Sequence, residues 1–201
     1  MKRFFLCVTF LSLISLTGCF GNKKPSRIEP PSVNASTAGS EAMKLYDKNG
    51  DGKISGDELD ATPALKASLA WLDKNGDGGI SADEIANRIK EWQAARVGLH
   101  SPAFSVTYNG KPVKSGTIIF TPEPFLGSAF HPATASITEG SATASCDAAV
   151  NPPNLTGMPW GFYIITFEGI SNAPEKMGLE IADINPDLAE NNSYQLELKK
   201  K

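Results

Sequence analysis

A twelve-residue pattern that occurs twice, 26 residues apart, restricts the fold more than any other feature of the chain. The first copy runs Asp47-Lys48-Asn49-Gly50-Asp51-Gly52-Lys53-Ile54-Ser55-Gly56-Asp57-Glu58. The second runs Asp73-Lys74-Asn75-Gly76-Asp77-Gly78-Gly79-Ile80-Ser81-Ala82-Asp83-Glu84. Positions 1, 3 and 5 (Asp47, Asn49, Asp51; Asp73, Asn75, Asp77) offer side-chain oxygens. Position 7 (Lys53, Gly79) has only a backbone carbonyl to give. Ser55 and Ser81 at position 9 reach inward directly or through water, and Glu58 and Glu84 at position 12 each offer two oxygens. Gly52 and Gly78 fall where such a loop turns sharply and a side chain would be strained. Carboxylates gathered into so short a loop repel one another, so folding is coupled to capture of a hard cation.

At every diagnostic position the two segments resemble the calcium loops of EF hands. The resemblance implies two Ca²⁺ sites, and a cage with a bidentate carboxylate favours Ca²⁺ over the strictly octahedral Mg²⁺. The flanks repeat as well: Met43 matches Leu69, and Tyr46 matches Leu72. Ile54 and Ile80 at position 8 are expected to form a short two-stranded contact. Leu65, Leu69 and Leu72 share one helical face, as do Ile85, Ile89 and Trp92. Trp71 and Trp92 are expected in or near the core. Only Leu59–Leu72 separates the loops. Thr62-Pro63 reads as an N-cap followed by proline at the first helical position, so the helix leaving the first loop should be a turn or two. With Met43 the sole nearby methionine, the expectation is a metal that serves folding rather than a sensor that opens a groove.

The N-terminus carries processing information. Lys2 and Arg3 precede an apolar stretch from Phe4 to Leu16, the layout of a secretory signal peptide over residues 1–18. Leu16-Thr17-Gly18-Cys19 resembles the bacterial lipobox, which implies an acylated Cys19 and a membrane as partner. Phe20 after the cysteine points to the outer membrane under the enterobacterial sorting rule. Residues 19–40, rich in Pro, Ser, Asn and Gly, are expected to be a disordered tether; a flexible chain of this length spans roughly 25 Å. Cys7 leaves with the signal and Cys19 is lipidated, so Cys146 has no partner for an intrachain disulfide and reads as a small buried hydrophobe. Loss of Lys2 and Arg3 leaves 17 basic residues against 22 acidic ones, a net charge of −5. Without a basic stripe, nucleic acid is not an expected partner.

After residues 41–97, expected to be helical around the two loops, residues 98–102 read as a linker. The texture then becomes β-branched and strand-like over 103–199, as in Phe104–Tyr108, Gly116–Thr121 and Phe162–Phe167. Asn109-Gly110 and Glu139-Gly140 are hairpin turn signals. The stretches Val106–Val113, Gly116–Pro122, Pro159–Thr166 and Asn192–Leu198 are similar, in order, to the carboxypeptidase regulatory-like or transthyretin-like domains of bacterial lipoproteins, notably those of planctomycetes. That resemblance implies a β-sandwich without catalytic apparatus. Phe125–Pro132 reads as an irregular insertion, Asn151–Asn154 as an unusual approach to the turn at Gly157–Gly161, and Ala142–Cys146 as a weak strand. His100 and His131 lack a catalytic constellation and are expected to be solvated loop residues. The Tyr-Arg-Gly-Ser ending of transthyretin relatives that hydrolyse a purine breakdown product is absent. The expectation is therefore two domains, a small all-α EF-hand pair followed by an all-β transthyretin-like sandwich. The expected protein is not an enzyme. It is exported, lipid-anchored at the cell envelope, calcium-binding, and structural or adhesive toward an envelope protein or glycan. A dockerin-like module for Ca²⁺-dependent docking, or an enzyme accessory, are the alternatives.

Overall fold

The computed structural model describes residues 28–182 and 193–199. The signal peptide, Cys19 and the first part of the tether, up to residue 27, lie outside the described residues.

Helix α1 spans Ala35–Tyr46 and so begins inside the stretch read as tether. Asn34 caps it: its Oδ1 accepts the Thr37 N–H at 2.9 Å. The buried face is made of Ala35, Ala38, Gly39, Ala42 and Tyr46. Residues this small carry little hydrophobic signal, yet they let α1 lie close against a neighbouring helix. Residues ahead of α1 are tied down too, since the Gln93 side-chain amide donates to the Val33 carbonyl at 2.7 Å.

The first loop leads into β1 (Lys53–Ser55) and a 3₁₀ segment, Gly56–Ala61, as short as the sequence suggests. Helix α2 (Pro63–Leu72) enters the second loop, and β2 (Gly79–Ser81) and α3 (Ala82–Ala95) leave it. β1 and β2 pair antiparallel with Ile54 opposite Ile80, both fully buried. Leu65, Leu72, Ile85, Ile89 and Trp92 are buried as their periodicity requires.

Among the described residues, nine strands follow. They are β3 (Ala103–Tyr108), β4 (Lys111–Pro112), β5 (Ser115–Pro122), β6 (Ala133–Thr138), β7 (Ser141–Thr143), β8 (Ser145–Cys146), β9 (Gly161–Glu168), β10 (Met177–Ile181) and β11 (Tyr194–Leu198). They form one sheet in the order β10-β9-β5-β6-β7-β3-β11, with β4 on β3 and β8 on β6. Every pairing is antiparallel except β11 with β3. The two turn signals do what their chemistry allows. Asn109 and Gly110 have φ of 49° and 74°, and Glu139 and Gly140 have 48° and 82°, as a two-residue hairpin turn needs.

The sheet curls into a half-barrel. Phe104 of β3 and Phe120 of β5 sit 5.1 Å apart between ring centres although β6 and β7 lie between their strands. Tyr194 stacks on Phe104 at 5.2 Å, and Tyr163 meets Phe120 edge-on. β9 is covered on both faces: Tyr163 points into the half-barrel, whereas Phe162 meets Trp92 of α3 at 4.8 Å. A strand buried on both faces favours an uninterrupted apolar run, and Gly161-Phe-Tyr-Ile-Ile165 is one.

Helical and sheet regions therefore share a single continuous cluster of buried apolar side chains. The joint is close. At Gly178 of β10, a β-carbon would lie 1.9 Å from the backbone of Pro63, so α2 packs there only because the residue is glycine. Phe125–Pro132, read as an irregular insertion, overlaps a 3₁₀ turn at Pro124–Leu126. Phe125, Leu126 and Phe130 are buried, and Phe125 meets Tyr46 of α1 edge-on at 6.4 Å. The stretch at 98–102 is not a free connector either, because His100 forms an antiparallel bridge with Met158 and is half-buried.

Candidate metal centre

Both loops are built by their own side chains in the same way. The Asp47 carboxylate accepts the N–H groups of Gly50 at 2.7 Å and Gly52 at 3.1 Å; Asp73 accepts those of Gly76 at 2.7 Å and Gly78 at 2.8 Å. Asn49 accepts from Asp51 N–H and Asp51 from Lys53 N–H; Asn75 accepts from Asp77 N–H and Asp77 from Gly79 N–H. Each acceptor folds the chain around itself, so the shape of each loop is set by its own side chains. The turn passes through left-handed backbone at Gly52 (φ 89°) and Gly78 (φ 79°), where a β-carbon would be strained.

The glutamates at position 12 close the loops. Glu58 Oε1 accepts the N–H groups of Lys48 at 2.7 Å and Asn49 at 3.1 Å, and its Oε2 accepts Ser55 N–H at 3.1 Å. Glu84 spans the second loop from Lys74 N–H at 2.9 Å to Ser81 N–H at 2.9 Å. Backbone donors from Ser55, Asn49 and Lys48 hold the Glu58 carboxyl below its ordinary range. Partial desolvation pushes Asp77 upward, but the Gly79 N–H, the Asn75 amide and the Lys53 ammonium outweigh it and keep its carboxyl low.

Position 9 has a second task. Ser55 with Glu58, and Ser81 with Glu84, form reciprocal capping boxes at the starts of the 3₁₀ segment and α3. The serine-x-x-glutamate spacing announces this in the sequence, and it means that the residues at positions 9 and 12 also fix where the exit helix begins.

Among the described residues, no three His, Cys, Asp or Glu side chains converge into a group that could hold an ion. The carboxylates are instead engaged by loop N–H groups. The donor chemistry nonetheless fits a hard cation. Asp47, Asn49, Asp51, Ser55 and Glu58 in one loop, and Asp73, Asn75, Asp77, Ser81 and Glu84 in the other, are oxygen donors on one turn, with the Lys53 and Gly79 carbonyls beside them.

Two buried glutamates tie this unit to the sheet, and neither is apparent from sequence. Glu180 of β10 is fully buried and accepts from Arg88 Nε at 2.5 Å, Trp92 Nε1 at 3.0 Å and Trp71 Nε1 at 2.5 Å. Burial alone would weaken the charge on Arg88, but Glu180 and then Glu91 hold its guanidinium above the ordinary value. Glu123, after β5, accepts from Tyr46 Oη at 2.9 Å, Thr62 Oγ1 at 2.9 Å and Ala64 N–H at 3.3 Å. Thr62 thus occupies the N-cap position of α2 without making a side-chain cap; the acceptor at that helix end is the carboxylate of Glu123. Burial raises the Glu123 carboxyl, against the lowering effect of its three donors and of Lys176, and burial with the Glu123 charge pushes the Tyr46 hydroxyl up.

Cys146 and His131 offer no competing centre. The Cys146 thiol is buried, pushed up to about 11 by that burial, and faces the His131 carbonyl rather than its ring. His131 is exposed.

A family model described as EF hand matches residues 41–61 and 65–89, which contain both loops. The match spans less than half of the chain. No curated protein and no solved structure matches it. The two stretches form an EF-hand pair, and the match supports calcium binding.

Proposed function

We propose that the chain is a calcium-binding protein of the bacterial cell envelope in which the ion is a structural clip. Ca²⁺ would be held by Asp47, Asn49, Asp51, Ser55, Glu58 and the Lys53 carbonyl, and by Asp73, Asn75, Asp77, Ser81, Glu84 and the Gly79 carbonyl. Bound there, the ion neutralises the gathered carboxylates and adds its binding free energy to folding. The chain's part is to orient the donors, through the Asx-type bonds of each loop and the glutamate that spans it.

The observation that carries this reading is the shared anchor at Glu180. Trp71 precedes the second loop on α2, and Arg88 and Trp92 follow it on α3; all three donate to the one buried carboxylate. A hand whose entering and leaving helices are fastened to one point of a sheet is poorly suited to opening a groove on binding metal. It is well suited to transmitting the ion's stabilisation into the sheet.

The resemblance of residues 1–19 to a lipobox signal supports export and anchoring of Cys19, most simply in the outer membrane. The strand pattern of 103–199 supports kinship with transthyretin-like domains, whose sandwich would correspond to the two walls of the curled sheet. A structural or adhesive role toward an envelope protein or glycan follows from that placement. Calorimetric Ca²⁺ titration of the mature chain tests the core of the proposal. Two sites are expected, with one lost in Glu58→Ala and the other in Glu84→Ala. No heat of binding in the wild-type chain would overturn it.

A further inference from the structure

The two loops differ only at position 7, Lys53 against Gly79, and at position 10, Gly56 against Ala82. Their oxygen donors are the same in kind and order, so donor chemistry alone would make the sites equal. Lys53 breaks the equality. Its side chain leaves loop one, crosses the two-stranded contact and ends in loop two. There Nζ donates to the Asp77 carbonyl at 3.0 Å and lies 3.5 Å from Asp77 Oδ1.

The space for this reach is supplied by the other differing residue. A β-carbon on Gly79 would lie 2.6 Å from Lys53 Cδ and 3.0 Å from its Cγ, so the methylene chain runs over Gly79 because that residue has no side chain. The arrangement is one-sided. By the symmetry of the pair, position 7 of loop two would reach Asp51, but Gly79 has nothing to send. Asp77 is position 5 of its loop, and its carboxylate is also engaged by Gly79 N–H and the Asn75 amide.

We propose that Lys53 is a built-in counter-cation that makes the two calcium sites unequal, weakening the second loop relative to the first. This rests on the reading of the loops as Ca²⁺ sites. An ion entering loop two must draw Asp77 away from the ammonium and then sit beside a fixed positive charge. An ion entering loop one meets neither cost. In the metal-free chain the same ammonium offsets part of the repulsion among Asp73, Asp77 and Glu84, which helps loop two hold its shape before metal arrives. The first loop therefore fills at lower Ca²⁺, and the second follows.

Calorimetry on the mature chain, with Lys53→Met in single-site backgrounds, tests this. Met keeps an unbranched chain over Gly79 and removes the charge. In Glu58→Ala, where only loop two binds, Lys53→Met should tighten Ca²⁺ binding roughly 3- to 10-fold, the size of a near-surface interaction between the two cations. In Glu84→Ala, where only loop one binds and Lys53 would contribute the main-chain carbonyl that Met retains, the same change should alter affinity clearly less than at loop two. Lys53→Arg should retain the wild-type inequality, and raised salt should shrink the effect of Lys53→Met by screening. Unchanged binding at loop two, or an equal change at both loops, overturns the counter-cation while leaving the calcium reading intact. Absence of any Ca²⁺ uptake by the wild-type chain overturns both.

Discussion

Replacing Glu180 by alanine removes the one acceptor shared by both helices of the second hand and the sheet. The carboxylate is fully buried, and three donors converge on it: Arg88 Nε at 2.5 Å, Trp71 Nε1 at 2.5 Å and Trp92 Nε1 at 3.0 Å. Its loss leaves Arg88, only 8% exposed, with Glu91 at 2.6 Å as its remaining acidic partner at the rim. Breaking a buried ion pair from one side costs about 3–5 kcal/mol, and each indole N–H left without an acceptor adds to the loss, though not additively. A total of about 4 kcal/mol corresponds to a fall in Tm of roughly 8–16 °C for a chain of this size. Urea unfolding in saturating Ca²⁺, followed by tryptophan fluorescence, measures it directly, because two of the three tryptophans report on this carboxylate. A double change, Glu180→Leu with Arg88→Met, should recover part of the loss by removing the stranded charge along with its partner. A loss below about 1 kcal/mol for Glu180→Ala would refute the anchoring argument.

Three further outcomes are expected. Glu84→Ala should weaken Ca²⁺ binding at its loop by roughly 100-fold, about 2.7 kcal/mol, and should also loosen the start of α3, because the same side chain completes the capping box. Calorimetry and helical circular dichroism read the two effects; an unchanged affinity would contradict the donor assignment. Glu123 has a folded carboxyl raised by burial, so its contribution to stability is present in acid, below the unfolded value, and is lost as pH rises through the folded value. The Tm of Glu123→Gln relative to wild type should therefore climb as pH rises above the ordinary carboxylate range, and a difference that falls with rising pH would have the wrong sign. Cys146, buried and with its thiol pushed up to about 11, should resist alkylation in the folded chain and react after unfolding; rapid labelling of the native protein would contradict its burial.

Much of the local structure was legible because it is written in residues with one strong preference. The loop glycines, Pro63 at the head of α2, and the Asn109-Gly110 and Glu139-Gly140 turns each allow few backbones, and each stands where its chemistry requires. The start of α1 was not legible. Ala35, Ala38, Gly39 and Ala42 form its buried face, and small residues in a Ser- and Asn-rich context resemble a tether until a helix to pack on is known. The joining of the two regions was hidden for a related reason. A glutamate is ordinarily exposed, and Glu180 in Met177–Ile181 becomes interior only when α2 and α3 arrive from far away in the chain. Phe125, Leu126 and Phe130 were visible as apolar residues, but their irregular spacing matches neither a helix nor a strand, so no periodicity marked them as the surface that α1 covers. The apolar run Gly161–Ile165 of β9 does carry a signal of the joint, because it requires cover on both faces and a free-standing sheet would leave one exposed.

The central claim is that calcium in the loops stabilises the sheet through the helices. Thermal melting of the mature chain in chelator and in increasing Ca²⁺, followed at once by a helical signal and by the tyrosine signal of the half-barrel, tests it most directly. A single transition is expected in both signals, with a Tm that rises with free Ca²⁺, as when a ligand binds only the folded state. A Tm that ignores Ca²⁺, or a helical transition that moves while the sheet transition stays fixed, would contradict it.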